Sequence, residues 1–282
     1  MVRPVIVPLG KSNAISALLT FPSRAAGKST RITREPLNPE PVPLEVREVP
    51  DATGLCRAAA DLIATTAAAA VAARGRFALA LSGGNTPRAL YQLLATELVT
   101  RVPWASTHLY FGDERCVPPD DPESNYRMAF ESLLSKVPGL VERTFRIEGE
   151  RAPAEAAKRY DDLLRNAFVD GTTFDIALLG IGEDGHTASL FPGSPALDER
   201  TRWAVATEAP PTMKTRHRVT LTYPMFANSR AVVFLTVGKD KHRILTDVLA
   251  EAGNPLAHYP AARITAREQL IYFADHAALS PR

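Results

Sequence analysis

Short apolar segments alternate with helical ones from Leu44 almost to the end of the chain. Residues 77–81 are all apolar and residues 174–179 nearly so, which is typical of strands buried on both faces of a parallel sheet. Strands that run parallel need a long crossover connection, usually a helix. The alternation therefore predicts a three-layer α/β fold with a mostly parallel central sheet flanked by helices.

The expected boundaries follow from period-two alternation, apolar runs and helix-start signals. Strands are expected at 44–49, 77–81, 108–111, 174–179, 203–207, 218–222, 231–237 and 270–273. Helices are expected at 53–73, from Thr86 onward, at 126–136, from Pro153 onward and at 239–252. Thr86 is the expected N-cap of its helix and Pro87 the first helical residue, since both residue types favour these positions.

Residues 1–43 differ from the rest of the chain. They are rich in proline, and residues 1–34 contain six basic residues and no acidic one. We therefore expect a basic, flexible N-terminal extension at 1–43 and a single domain at 44–282. The extension is also similar in composition to a mitochondrial transit peptide, so organelle targeting is an alternative to a cytoplasmic location.

Composition excludes several classes of protein. Apolar residues make up 45% of the chain and charged residues 23%, as in soluble globular proteins. The formal net charge of +2 lacks the positive surplus of a dedicated nucleic-acid binder. No run of 18 apolar residues occurs, so we expect no membrane span, and the alanine-rich stretch 58–73 predicts an amphipathic helix. Cys56 and Cys116 are too few for a disulfide framework, which indicates a reducing compartment such as the cytoplasm.

Polar clusters follow four of the predicted strands, where folds of this class bind their ligands. The clusters lie at 82–86, 112–115, 180–187 and 238–242. In the first, Ser82, Gly83 and Gly84 allow a ligand to approach the backbone, and the following helix offers free N–H groups. The cluster, which includes Thr86, suits a phosphate, but it equally suits an ordinary strand-to-helix turn.

The second cluster combines two acids and an arginine. Arg115 has the planar guanidinium group that binds phosphate through two hydrogen bonds. Asp113 and Glu114 have an alternative role as a structural ion network with Arg115 or Arg127.

The fourth cluster places Lys239 and Lys241 at a helix start. Their charges oppose the helix dipole there, which favours an anionic ligand unless the two lysines are simply solvated.

Residues 180–185 match the G-x-G-x-x-G pattern of dinucleotide-binding loops. The context argues against a dinucleotide, because Glu183 and Asp184 would face its pyrophosphate and Pro192 stops any helix. A free imidazole titrates at about pH 6.5 and can take a proton from water, so His186 is the predicted general base, although a lone histidine is often structural. The chain has neither zinc-ligand spacing nor an EF-hand, so we expect no metal and no cofactor.

Several segments of the chain resemble 6-phosphogluconolactonases. They are ALSGGNTP, YFGDERCVPPDDPESNYRM, FDIALLGIGEDGHTASLFPG and RVTLTYPMFANSRAVVFLTVGKDK. The resemblance covers roughly residues 44–276, and DGHTASLFPG is its most specific element. The related glucosamine-6-phosphate deaminases share D-G-H but usually continue toward I-A-F-N-E-P, whereas this chain continues as a lactonase does.

The resemblance implies a Rossmann-like α/β fold and hydrolysis of 6-phospho-D-glucono-1,5-lactone in the oxidative pentose phosphate pathway, without cofactor or metal. It assigns the general base to His186, and it assigns substrate contacts to Ser82, Gly83, Gly84, Arg115 and Lys241. We further expect Asp184 to orient the imidazole and Thr86 to belong to the phosphate site. Lys214 lies one position away from the lysine of the family's S-P-K-P-P segment, so the resemblance assigns it no role.

The expected partner is a small sugar-phosphate lactone, with no nucleic acid and no membrane, and the expected assembly is a monomer or small homo-oligomer. Two alternatives stay open. A sugar-phosphate deaminase or isomerase would share the fold and would release ammonia from glucosamine 6-phosphate. A noncatalytic sugar-phosphate-binding regulator would need residues 82–84 and Arg115 but not His186, and it would bind without turnover.

Overall fold

The structure, a computed structural model, describes residues 4–6, 42–169 and 173–280. In chain order the strands are β1 (Pro4–Ile6), β2 (Leu44–Val49), β3 (Phe77–Leu81), β4 (Thr107–Phe111), β5 (Asp113–Arg115), β6 (Ile176–Leu179), β7 (Ala204–Glu208), β8 (His217–Leu221), β9 (Ala231–Thr236) and β10 (Gln269–Asp275). The helices are α1 (Ala52–Arg74), α2 (Asn85–Ala95), α3 (Asn125–Ser132), α4 (Pro153–Ala167), α5 (Tyr223–Asn228), α6 (His242–Ala250) and α7 (His276–Leu279).

The central sheet has the strand order β1-β2-β10-β9-β6-β3-β4. All neighbours pair in parallel except β1, which pairs antiparallel with β2 at one edge. Strands β3, β6 and β9 are buried at every residue, because helices cover both faces of the sheet. The predicted three-layer Rossmann-like α/β architecture with a mostly parallel sheet is confirmed.

Helix α1 packs along this sheet against β2, β3 and β10. Asp51 caps its start by accepting a hydrogen bond from the Gly54 N–H at 2.8 Å, and Gly75 ends it in the left-handed conformation. By length and composition alone, α1 could cross a membrane. One face of α1 is nevertheless buried in the protein core, through Leu55, Ile63 and a row of alanines. The expected amphipathic helix is therefore present.

A second sheet, of order β5-β8-β7, is antiparallel and was not predicted. The strands expected at 203–207 and 218–222 belong to it rather than to the central sheet, since the short connection at 209–216 permits only an antiparallel pair. Gly112 joins the two sheets. Its N–H donates to the Leu81 carbonyl at 2.8 Å, and its carbonyl accepts from the Leu221 N–H at 2.9 Å.

Three helix boundaries differ from the prediction. Helix α2 begins at Asn85 with Gly84 as its N-cap, so Thr86 is inside the helix and does not cap it. Helix α3 ends at Ser132 and is followed by a separate 3₁₀ turn, Leu134–Lys136. The helix expected at 239–252 is a 3₁₀ turn, Lys239–Lys241, followed by α6.

The expected N-terminal extension, 1–43, falls mostly outside the described residues. Residues 4–6 form β1 and residues 42–43 lead into β2. The flexibility expected for residues 1–43 stays a prediction, as does the treatment of 44–282 as a single domain.

Candidate active site

A cavity of about 230 Å³ lies at the carboxyl ends of β3 and β6, beside the small antiparallel sheet. The following residues line it: Ser82, Gly83, Gly84, Asp113, Arg115, Asn125, Gly180, Ile181, Gly182, His186, Ala188, Phe191, Met213 and Arg218. Five residues expected at the site from the sequence therefore meet in one cavity: Ser82, Gly83, Gly84, Arg115 and His186. The carboxyl ends of parallel strands lie at the same sheet edge, which brings the loops after β3 and β6 together.

The imidazole of His186 is held by Asp184. Asp184 Oδ1 lies 2.5 Å from His186 Nδ1 and accepts a second hydrogen bond from the His186 backbone N–H at 3.1 Å. Burial raises the pKa of Asp184, but the hydrogen bonds and charge of His186 outweigh it and hold that pKa below its usual value. The carboxylate fixes the proton on Nδ1 and leaves Nε2 as a proton acceptor. The expected orientation of His186 by Asp184 thus has a geometric basis.

The glycines of the 180–185 loop shape the surroundings of His186. The Gly182 N–H donates to the His186 carbonyl at 2.8 Å, and a Cβ at Gly182 would lie 2.1 Å from His186 Nδ1. Gly185 has a φ of +77°, and a Cβ there would lie 2.3 Å from the Tyr259 ring. On its other side the imidazole packs against Phe191, with 4.7 Å between ring centroids. Gly182 and Gly185 are therefore explained by the space that His186 and Tyr259 need, without a dinucleotide.

The loop after β3 is anchored by Tyr91. Its hydroxyl accepts from the Ser82 N–H and donates to the Ser82 carbonyl, both at 2.9 Å. Gly84 has a φ of +106° and caps α2 without a side-chain hydrogen bond, so the first N–H groups of this helix have no side-chain partner there. Gly83 is required for another reason, because a Cβ there would lie 2.1 Å from Asn125 Oδ1. We expected Gly83 to admit a ligand; in the structure it makes room for a side chain.

Two arginines face the cavity from the small sheet. Arg115 on β5 pairs directly with Arg218 on β8, and directly paired residues present their side chains on one face. Arg115 Nη1 donates to the Glu123 carbonyl at 2.5 Å, while its buried Nε has no hydrogen-bond partner in the part of the chain that the structure describes. Arg218 is buried, and its Nε donates to the Thr215 carbonyl at 2.9 Å.

Neither arginine forms an ion pair with any residue in the described part of the chain. Burial lowers the pKa of Arg218, and the neighbouring charge of Arg115 lowers it further. Two cations held together without a carboxylate partner form a site for an anion with several oxygens, such as a phosphate.

The acids of the second cluster do not pair with Arg115 or Arg127. Asp113 accepts hydrogen bonds from Ser189 Oγ at 2.6 Å and from Asn125 Nδ2 at 3.0 Å. Arg127 pairs instead with Glu131. The alternation of side chains along β5 explains the difference, because Asp113 and Arg115 point to one face and Glu114 to the other.

Glu114 holds the start of α3. Its carboxylate accepts from the backbone N–H groups of Asn125 and Tyr126, at 2.7 and 2.8 Å, and from Ser124 Oγ at 3.0 Å. Burial raises the pKa of Glu114 to about 7, because these hydrogen bonds offset only part of the lost hydration.

Two residues expected at the site lie elsewhere. Thr86 lines a different cavity, of about 510 Å³, between α1 and α2. Lys241 is in the 3₁₀ turn after β9 and does not line the 230 Å³ cavity. Among the described residues, no group of three potential metal ligands occurs.

The sequence prediction missed Asn125 and Arg218. Arg218 carried a usable signal, since it is the first residue of the predicted strand 218–222, whose other residues are all apolar or threonine. Asn125 carried none beyond its position after Ser124, a common N-cap. Its place at the cavity depends on contacts with Asp113 and Gly83, which are distant from it in the sequence.

Comparison with known proteins identifies the family. Residues 50–272 match the family model described as "Glucosamine-6-phosphate isomerases/6-phosphogluconolactonase". The chain belongs to this family. The resemblance that the sequence segments carried is therefore confirmed.

Among the relatives, a protein of Nostoc sp. strain PCC 7120 named 6-phosphogluconolactonase is 36% identical over 238 residues, covering 83% of this chain and 96% of that protein. A 6-phosphogluconolactonase structure from Trypanosoma cruzi superposes with a TM-score of 0.72 at 29% identity, covering 86% of this chain and 97% of that one. A monomeric glucosamine-6-phosphate deaminase reaches a TM-score of 0.71 at 21% identity, covering 84% and 99%. The fold is thus shared by members named for both activities, and the cavity residues must distinguish them.

Proposed function

We propose that the chain is an enzyme that hydrolyses 6-phospho-D-glucono-1,5-lactone to 6-phospho-D-gluconate in the oxidative pentose phosphate pathway. One observation carries the proposal. A histidine whose Nδ1 is hydrogen-bonded to a carboxylate shares a small cavity with two arginines that have no ion-pair partner among the described residues. The first feature suits activation of water, and the second suits a phosphate. The name of the Nostoc relative supports the same substrate.

His186 acts as the general base. Its Nε2 takes a proton from a water molecule as the water oxygen attacks the lactone carbonyl carbon, C1. The adjacent Asp184 carboxylate stabilises the imidazolium that forms, since it already binds Nδ1. A tetrahedral intermediate with a negatively charged oxygen results.

The intermediate collapses by breaking the bond between C1 and the ring oxygen. The carbonyl re-forms, and the ring oxygen takes the proton from His186 to become the C5 hydroxyl. Water has then been added across the ester bond, and His186 is neutral again. A lactone is an activated ester, so the reaction needs no covalent enzyme intermediate.

Arg115 and Arg218 hold the phosphate of the substrate. The phosphate is remote from C1, so binding it fixes the position of the lactone ring relative to His186. The partly buried setting strengthens this contact, because few water molecules compete for the guanidinium groups. The substrate is thus a small sugar phosphate rather than nucleic acid or a membrane, and two free cysteines support a cytoplasmic location.

A coupled assay tests the proposal. The purified chain should hydrolyse the lactone well beyond its spontaneous rate and release no ammonia from glucosamine 6-phosphate. His186→Ala should lower kcat by about 10²–10⁴-fold, the usual contribution of a general base. His276→Ala is the matched control, because His276 also binds a carboxylate through Nδ1, that of Glu48 at 2.7 Å, but lies outside the cavity. Wild-type kcat in His186→Ala would contradict the assignment of the base.

A further inference from the structure

Asn125 lines the cavity but has no part in the mechanism above. It is the first residue of α3 and is buried, with 3% of its surface exposed. Its backbone N–H donates to Glu114 Oε1 at 2.7 Å, which fixes the position of the main chain. Asn125 is therefore a polar side chain placed rigidly in the wall of the site.

The orientation of the Asn125 amide is determined by Asp113. Asn125 Nδ2 donates to the Asp113 carbonyl and to Asp113 Oδ1, both at 3.0 Å, which uses both of its hydrogens. The reverse orientation would turn Oδ1 toward these two acceptors, so it is excluded. The other oxygen of the Asp113 carboxylate, Oδ2, accepts a hydrogen bond from Ser189 Oγ at 2.6 Å, which fixes the carboxylate in turn.

Asn125 Oδ1 is thus turned away from Asp113 and toward Gly83. It lies so close to Gly83 that a Cβ there would be 2.1 Å away. Within residues 42–169 and 173–280, no group donates a hydrogen bond to this oxygen, and it is not sealed from the cavity. Oδ1 therefore faces the cavity with an unused acceptor position, which a ligand donor would fill.

We propose that Asn125 is a specificity-determining residue whose Oδ1 accepts a hydrogen bond from one ring hydroxyl of the phosphorylated lactone. The proposal rests on the proposed function. The lactone ring carries hydroxyl donors at C2, C3 and C4, whereas its carbonyl and ring oxygens only accept. The Oδ1 acceptor selects a hydroxyl and repels the phosphate, which directs the phosphate toward Arg115 and Arg218.

The wild-type chain provides the first test. The rate of hydrolysis is measured for 6-phospho-D-glucono-1,5-lactone and for its 2-deoxy, 3-deoxy and 4-deoxy analogues. One analogue should show a kcat/KM about 10–100-fold below the parent, because its binding leaves Oδ1 unpaired. Equal kcat/KM values for the parent and all three analogues would overturn the proposal while leaving lactonase activity established.

Asn125→Ala provides the second test, through the ratio of kcat/KM for the parent lactone to that for the discriminated analogue. Direct contact predicts that this ratio falls to about one, since the variant has lost the acceptor that distinguishes the two substrates. A merely structural role would lower both values together and leave the ratio unchanged, and this outcome would overturn the proposal.

Ser189→Ala is the matched control. It removes another hydrogen bond to the Asp113 carboxylate but leaves Asn125 Oδ1 in place, so the ratio should stay at its wild-type value. If Asn125→Ala does not fold, the wild-type analogue series decides alone. Failure of the wild-type chain to accelerate hydrolysis of the parent lactone would overturn the proposed function, and with it this proposal. This result differs from equal kcat/KM values for the parent and its analogues, which require that the parent lactone is hydrolysed.

Discussion

At the residue scale, the absence of a Cβ atom at two glycines gives the side chains of this cavity the space they occupy. Gly83 and Gly182 each lie where a Cβ would be 2.1 Å from a side chain of the site, Asn125 in one case and His186 in the other. The second and third glycines of the G-x-G-x-x-G pattern, Gly182 and Gly185, are thus explained by the space that His186 and Tyr259 need. A sequence pattern reports that glycine is required at a position, but not which neighbour requires it.

Gly182→Ala tests whether glycine is required at this position to leave space for His186. The added Cβ overlaps His186 Nδ1 and should displace the imidazole, lowering kcat about 10²-fold, the effect of a misplacement of about 1 Å. Gly180→Ala is the comparison variant, because a Cβ at Gly180 meets no protein atom within 4 Å, and its loss of kcat should be the smaller of the two. Steady-state kinetics of both variants make the measurement. Equal losses would show that the glycines matter for another reason.

Asp184→Asn tests the orientation of the imidazole. An asparagine amide can also donate to Nδ1, which would favour the tautomer with its proton on Nε2 and no acceptor facing the substrate. We expect kcat to fall about 10–100-fold with little change in KM, by analogy with the loss of orienting partners elsewhere. Glu183→Gln, a neighbouring exposed acid, serves as the control. An unchanged kcat in Asp184→Asn would remove Asp184 from the mechanism.

At the scale of elements, the turn from β5 into α3 depends on one carboxylate. Glu114 accepts hydrogen bonds from the first N–H groups of α3, and these groups have no partner inside the helix. The negative charge also lies at the positive end of the helix dipole. Glu114 thereby keeps Asn125 at the cavity wall while Arg115, the next residue on β5, faces the cavity.

The stability of the fold should depend on the protonation of Glu114. Its pKa rises from about 4.5 in the unfolded chain to about 7 in the folded one, so the folded state binds more protons between these values. The free energy of unfolding should therefore decrease as pH rises from 4.5 to 7, by up to about 3 kcal/mol from this group.

Urea unfolding of wild type and Glu114→Gln at pH 5 and pH 7.5 measures this contribution. The variant should lack that part of the decrease, and Glu131→Gln, at an exposed site of α3, should keep it. The same pH dependence in wild type and Glu114→Gln would contradict the prediction.

At the scale of the whole molecule, the carboxyl ends and the amino ends of the parallel strands have different roles. The cavity lies at the carboxyl ends of the strands, and a buried carboxylate, Asp175, lies at the amino end of β6. Asp175 accepts from the Ala78 N–H at 2.8 Å and forms ion pairs with Arg74 and Arg230. It therefore joins the end of α1 to β3, β6 and the start of β9.

Asp175→Ala should lower the free energy of unfolding by about 2–3 kcal/mol, because it leaves the buried Ala78 N–H group without its acceptor and removes the ion pairs with Arg74 and Arg230. Activity of the folded variant should be unchanged, since Asp175 is at the sheet edge opposite the cavity. Asp198→Ala removes an exposed carboxylate 3.8 Å from Arg200 and should change stability by less than about 0.5 kcal/mol. Chemical unfolding and the lactonase assay compare the two. Equal effects on stability would show that Asp175 is no more important than a surface acid.

Sequence patterns predicted the central sheet well and the small sheet poorly. Strands such as β3 and β6 are buried on both faces, so their apolar runs are visible without knowledge of their partners. The three residues of β5 are all charged, and they form a strand only because β8 pairs with them. The location of His186 followed from local sequence, whereas the roles of Asn125 and Arg218 depend on residues that lie far away in the chain.

The junction at Gly112 has a consequence for the choice of substrate. It connects the sheet that carries the histidine loop to the sheet that carries both arginines by two backbone hydrogen bonds, which hold the sheets in one relative position. If the phosphate and the carbonyl carbon bind as proposed, the distance between them in the substrate must match the distance between the arginines and the imidazole. The enzyme then selects its substrate by the length of the carbon chain. A phosphorylated lactone one carbon shorter could reach the arginines or the imidazole, but not both.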